Sequence, residues 1–217
     1  MSLPKLIPPF RFAYVEKDLF RGAYPVNHNF SFLRTLKLKT MISMSPNPID
    51  DDLKKFCEEE HIKNYYYSVP KFVTQVVITV NSVTDIINII CNKDNLPLYI
   101  HCINGGHTTG LVIMCLRKLQ MWTQRAMINE FSRFINTFER SEEEFINNYK
   151  ATFELTQNRP DWLRHLPTGR KSHPTLHVIF ADDEGTDDGD DQDDEEDEEE
   201  NQNDSENQSE DHSLNDQ

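Results

Sequence analysis

Hydrophobic positions change their period several times along the chain, and each change marks an element. Around residues 10–15 and 19–24, apolar and aromatic side chains flank the polar turn Glu16-Lys17-Asp18, which predicts two short strands. Phe32, Leu33 and Leu36 fall at helical spacing within 29–38. Residues 40–45 read as a strand stopped by Pro46-Asn47-Pro48. Asp50-Asp51-Asp52 supplies a cap and first-turn negative charge for a helix running to His61, with Leu53 and Phe56 on one face. A Tyr-rich strand is expected over 62–69. A helix is expected over 76–90, where Val80, Val83, Ile86, Ile87 and Ile90 share a face. Residues 97–101 form an apolar, buried strand. Beyond it, Leu111, Val112, Cys115, Leu116 and Leu119 line one face of a helix beginning near Thr109-Gly110. Thr123 caps the next helix, with Ala126, Met127, Phe131 and Phe134 inward. Ser141-Glu142-Glu143-Glu144 is a capping-box pattern before Phe145 and Tyr149, and Pro160-Asp161-Trp162-Leu163 closes the body. Strands that alternate with helices, followed by helices alone, predict an α/β domain: a central sheet with helices on both faces.

Charge divides the 217 residues sharply. Twenty of the 37 acidic side chains and none of the 22 Lys and Arg lie in 181–217, which leaves 17 acidic against 22 basic in the body. The net charge of −15 is therefore about −20 in the tail and +5 in the body. Past Phe180 there is almost no apolar side chain to offset the entropy of ordering, so a disordered acidic tail is expected over 181–217. It reads first as a solubilising segment, and more sharply as a contact for a basic partner or for the body's own basic face. A tail of this sign repels phosphate, which disfavours nucleic acid as a partner. The four cysteines (Cys57, Cys91, Cys102, Cys115) show no CxxC pair and no Cys/His spacing for zinc. With no leader pattern and no run approaching the roughly 18–20 apolar residues of a membrane span, a reduced chain of the cytoplasm or nucleus is expected, with no metal, no cofactor and no membrane contact.

The densest chemistry lies in His101-Cys102-Ile103-Asn104-Gly105-Gly106-His107-Thr108, between the buried strand and the apolar helix. Strand, tight glycine loop and helix are how a chain builds an anion pocket around a thiol. The amides of a helix N-terminus bind phosphate oxygens and favour a thiolate. Gly105 lets the backbone turn its amides inward. Cys102 is the would-be nucleophile, Thr109 a hydroxyl that can donate to its sulfur, and His101 a structural side chain. Cysteine phosphatases write such a loop as Cys, five residues, then Arg; here that last position is Thr108.

The chain resembles the plant and fungal atypical dual-specificity phosphatases, a branch of the cysteine-dependent protein tyrosine phosphatase superfamily. The resemblance runs from about Phe12 to Leu166. It rests on Phe20-Arg21-Gly22-Ala23-Tyr24-Pro25, Asn29-Phe30-Ser31-Phe32-Leu33 with Leu36-Lys37-Leu38-Lys39, residues 97–102, residues 110–122 (GLVIMCLRKLQMW) and Asn129-Glu130-Phe131-Ser132-Arg133-Phe134. It is closest to the fungal subgroup whose cysteine loops are degenerate. It implies a phosphatase-like domain over 1–166 with a cysteine-phosphatase fold, a central mostly parallel sheet flanked by helices. A linker over 167–180 then leads to the tail. It also implies hydrolysis, in active members, of inositol pyrophosphates or phosphoproteins through a phosphocysteine, and assembly with paralogues.

The departures from that family decide the functional reading. Active members carry basic residues where this chain has Asn104 and Gly106, and the mechanistic Arg where it has Thr108. Cys102, Gly105, His107, Thr109 and Gly110 match, and Ile103 completes the loop. An Arg fork on the transferring phosphoryl group is worth roughly three to five orders of magnitude in rate. Arg117, nine residues along the helix and on the order of 13 Å away, is out of reach; Arg125, Arg133, Arg140, His107 or Lys71 are the remaining sources of a cation. The general acid is expected on the loop after the 62–69 strand, yet residues 64–84 hold no Asp or Glu. Asp85, the nearest carboxylate, should sit inside a helix. The leading expectation is an inactive tyrosine/dual-specificity phosphatase-like protein that binds a phosphorylated small molecule or phosphoprotein, or serves as a regulatory scaffold. One alternative is a weak or narrow phosphatase acting on phosphotyrosine or an inositol pyrophosphate through Cys102. The other is a hetero-oligomer scaffold with paralogous phosphatase-like proteins.

Overall fold

The computed structural model describes residues 6–163, Leu166 and 173–180. The expected acidic tail and residues 167–172 of the expected linker lie outside the described residues.

The chain forms β1 (Ala13–Glu16), β2 (Leu19–Ala23), α1 (Asn27–Thr35), β3 (Thr40–Ser45), α2 (Asp51–Glu59), β4 (Lys63–Ser68), α3 (Val80–Ile90), β5 (Leu98–Cys102), α4 (His107–Leu119), α5 (Gln124–Phe131), α6 (Arg140–Asn148), β6 (Ala151–Leu155) and β7 (Leu176–Phe180). The main sheet has the order β1-β2-β5-β3-β4. Strand β1 runs antiparallel to β2, and the other pairings are parallel. The mixed α/β fold with a mostly parallel central sheet is thus present. Side chains alternate across β5: Leu98 and Ile100 enter the core that contains α3 and α4, whereas Tyr99 enters the core that contains α1 and α2. That period of two puts a helical layer on each face and leaves Cys102 at the carboxyl end of the central strand.

Local signals set the boundaries. Asp50 caps α2 by accepting from the Leu53 amide at 2.8 Å, as the triple Asp implies. Helix α3 begins at Val80, four residues later than its apolar pattern suggests, because the Thr79 hydroxyl accepts from the Ser82 amide and fixes the start. The capping box of α6 sits two residues earlier than expected: Glu139 is the cap, and the Glu142 carboxylate reaches back to the Glu139 amide at 3.0 Å. Residues 176–180, within the stretch expected to be a linker, form β7, which pairs in parallel with β6. Neither strand was legible, since each is only five residues long and their partners lie far apart in sequence.

Helix α4 is buried from Thr108 to Leu119, not along one face only. Even its charged end is internal. Arg117 bonds Glu130 through Nε and Nη2, both at 2.9 Å, and also reaches Glu16, Gln120 and the Val15 carbonyl. Lys118 Nζ donates to the Ile146 and Tyr149 carbonyls at 2.6 and 3.1 Å. Pairing of this kind is what allows charges inside a core. The start of α4 is equally tight. A Cβ on Gly110 would lie 2.6 Å from Phe131 Cδ2, and Phe131 is itself buried. Gly110→Ala should therefore overpack the α4–α5 contact and cost about 1–3 kcal/mol in a urea titration; an unchanged midpoint would mean that Phe131 moves freely.

Candidate functional site

The loop after β5 turns on a glycine for a specific reason. Gly105 has φ of 66°, and a Cβ there would lie 2.6 Å from the Ala23 amide nitrogen, so both dihedral and space require glycine. Gly106 is the N-cap of α4, which starts at His107, two residues before the expected Thr109-Gly110 start. Three loop carbonyls point outward and are held by arginines that sequence reasoning left without a role. Arg21 Nη2 donates to the Gly105 and Gly106 carbonyls at 2.9 and 3.4 Å. Arg11 Nη1 donates to the Asn104 carbonyl at 3.1 Å. Arg21 is buried, with its guanidinium 3.8 Å from the centre of the Phe134 ring. Burial lowers its pKa to about 10, so it stays charged near neutrality, and the Cys102 sulfur is among the groups that act on it. The position of Arg21 inside an FRGAYP motif was the available signal; what it touches was not.

Cys102 ends β5 and is buried. Its Sγ lies 3.7 Å from Asn104 Oδ1, and the same oxygen accepts from the Gly106 amide at 3.0 Å. The expected Thr109-to-sulfur contact is absent: the Thr109 hydroxyl is buried without a hydrogen-bond partner among the described residues. A protonated thiol is a donor and turns to a carbonyl acceptor, which Asn104 provides. Thr108, 7% exposed, lines a small cleft with Cys102, Ile103 and Asn104. The facing wall is Val69, Pro70, Lys71 and Phe72, the carboxylate-free loop after β4. The cleft measures about 20 Å³, room for roughly one water.

His107 is tied away from the cleft. Its Nδ1 lies 2.9 Å from Glu142 Oε1, and its ring stacks on Phe72 with centroids 4.1 Å apart. Glu142 is buried, which pushes its carboxyl up, and it joins the cysteine loop to the cap of α6. The Ser141 hydroxyl donates to the Thr74 carbonyl, which fastens the loop after β4 to the same helix. His101 is a fully buried strand residue. The Ser43 hydroxyl accepts from Asn64 Nδ2 at 2.7 Å and is hydrogen-bonded to His101 Nε2 at 2.9 Å. Burial lowers the His101 pKa to about 3, so the ring is neutral.

The other expected sources of charge are elsewhere. Arg117 is committed to Glu16 and Glu130, Arg140 to Glu144, and Arg125 and Arg133 are exposed. Asp85 lies in α3, facing a separate cavity of about 670 Å³ with Lys150 and His177. Of the cations named from sequence, Lys71 alone lines the cleft.

A family model described as "Tyrosine phosphatase family" matches residues 6–167. The chain belongs to the tyrosine phosphatase family. Within it, the chain is 33% identical over 197 residues to the Saccharomyces cerevisiae protein named "Putative tyrosine-protein phosphatase OCA6", covering 82% of this chain and 88% of that one. It is 34% identical over 137 residues to "Inositol diphosphatase DSP2" of Oryza sativa subsp. japonica, covering 63% and 67% respectively. The core catalytic domain of the S. cerevisiae PP-IP phosphatase SIW14, solved with citrate, superposes with a TM-score of 0.62 at 34% identity, covering 67% of this chain and 89% of that domain. The cysteine-phosphatase fold is therefore shared, and relatives with tyrosine phosphatase and inositol diphosphatase names share its sequence. None of the described helices is long and apolar enough to cross a membrane.

Proposed function

We propose that this tyrosine phosphatase family member has an impaired catalytic centre and works by binding, not by turnover. One observation carries the reading: Thr108 occupies the cleft wall beside Cys102 at the position that the phosphatase loop gives to arginine. A neutral hydroxyl supplies a single donor where the reaction needs a charged bidentate fork. The facing loop adds Lys71 and no carboxylic acid, so the leaving oxygen lacks a proton donor as well. The relatives point to phosphotyrosine or an inositol pyrophosphate as the ligand class. Assembly with paralogous chains fits the apolar lip: cleft-lining Ile103 is 41% exposed, and Val73, next to cleft-lining Phe72, is 77% exposed. A second reading, weak hydrolysis through a phosphocysteine, draws support from Lys71 on the wall and from Arg21 beneath the loop.

Trapping separates the two. The protein is incubated with an aryl phosphate or an inositol pyrophosphate, quenched in acid and examined by peptide mass spectrometry. Cys102 is expected to stay unmodified. A phosphorylated Cys102 would establish the second reading and end the first.

A further inference from the structure

We propose that the Asn104 side chain is an internal occupant of the cysteine loop, a latch that must swing out before any anion can enter. Its amide oxygen lies between the two groups that would meet an incoming anion: 3.0 Å from the Gly106 amide nitrogen at the start of α4 and 3.7 Å from Cys102 Sγ. Both of those groups are donors, so the oxygen, not the amide nitrogen, faces them. The loop backbone is held separately from that side chain: Arg11 donates to the Asn104 carbonyl at 3.1 Å and Arg21 to the next two. Opening is therefore a side-chain rotation within a fixed loop. With the amide inside, the cleft measures only about 20 Å³, and an entering anion has to compete with that oxygen for the Gly106 amide. The short amide does from within what a bound anion does from outside: it satisfies a helix-start amide and keeps the loop's concave form.

This inference concerns anion entry and stands whether or not the chain turns substrate over. It predicts opposite shifts from two substitutions at one position. Asn104→Ala removes the occupant and frees one hydrogen-bond donor on each side, so the full-length protein should bind tungstate about tenfold more tightly, the equivalent of one hydrogen bond no longer displaced. Its Cys102 should also react about tenfold faster with iodoacetamide, read at the peptide level to separate it from buried Cys57, Cys91 and Cys115. Asn104→Asp keeps the shape and adds a negative charge at a helix N-terminus, so it should seat more firmly and bind tungstate more weakly than wild type. Asn104→Ser, which retains a small polar group, serves as the opening variant if the alanine form does not fold, with the same expected direction. Calorimetry that finds tungstate affinity shifted the same way in the opening and aspartate variants, or unchanged in a folded opening variant, overturns the latch. A purely structural role for Asn104 would move the unfolding midpoint and leave tungstate affinity alone.

Discussion

Assayed beside SIW14 under the same conditions, the purified chain should hydrolyse an aryl phosphate or an inositol pyrophosphate about three to five orders of magnitude more slowly. The estimate comes from the worth of an arginine that stabilises phosphoryl-transfer charge, about 10³–10⁵ in rate, or about 4–7 kcal/mol of transition-state stabilisation. Thr108 lines the same cleft as Cys102 but brings no charge. The loop after β4 brings Lys71 in place of an acid, and a positioned general acid is itself worth about 10²–10⁴. These losses fall on one transition state and are not additive, so the arginine figure alone is taken as the expectation. Cys102→Ser should leave the residual rate unchanged. A Cys102-dependent rate within about a hundredfold of SIW14 would contradict the proposed function and would direct attention to Lys71 or Arg21 as the substitute cation. Restoring the family residue by Thr108→Arg should raise tungstate affinity before it raises turnover, since the acid is still missing.

The framework of this site was readable because its signals are local. The run of residues 97–101 gives a strand, Gly105 gives the turn, and the apolar pattern of 111–119 gives the helix; the structure adds that the helix starts earlier, at His107, and is buried all round. What holds the loop together comes from positions far away in sequence. Arg21 is 84 residues from the Gly105 carbonyl that it binds, Arg11 is 93 from Asn104, and Glu142 is 35 from His107. No periodicity encodes such pairings; the parallel register that places Ala23 beside Cys102 brings Arg21 to the loop, and the packing of α6 brings Glu142. Asn104 was named as a loop residue, but its contact with the Gly106 amide was hidden for a different reason. Compared with a basic residue it registers as a lost charge, and only its geometry shows that the shorter side chain folds inward onto its own loop. The strands β6 and β7 were missed because each is only five residues long and 20 residues separate them in sequence, so no hairpin turn marks the parallel pair.

Stability of this chain should fall steeply in mild acid, and His101 is the group that makes it do so. A free imidazole has a pKa near 6.5; within β5 burial brings it to about 3. Below pH 6.5 the unfolded chain binds a proton there that the folded chain refuses. The stabilisation from a neutral His101 is therefore complete above about pH 6.5 and is lost, at about 1.4 kcal/mol per pH unit, as pH falls toward 3. Glu142 acts in the opposite sense: its folded pKa is raised by burial, so what it contributes is greatest at low pH and is lost as pH rises. Comparison with a substituted chain isolates the histidine. Between pH 7.5 and 5.0, urea titrations of the wild type should show a loss about 2 kcal/mol larger than those of His101→Gln, whose amide can still hydrogen-bond Ser43. Parallel losses would mean that protons enter the native core without cost. If the variant does not fold, the carbon-bound imidazole protons of His101 in the wild type should show no titration by NMR over that pH range. A ring that cannot take a proton at neutral pH, and whose Nε2 is filled by the Ser43 hydroxyl, is not available as a base for the cleft. Its work is to tie β5 to β3, and through β5 to hold Cys102 at the mouth of a loop that keeps its shape without its arginine.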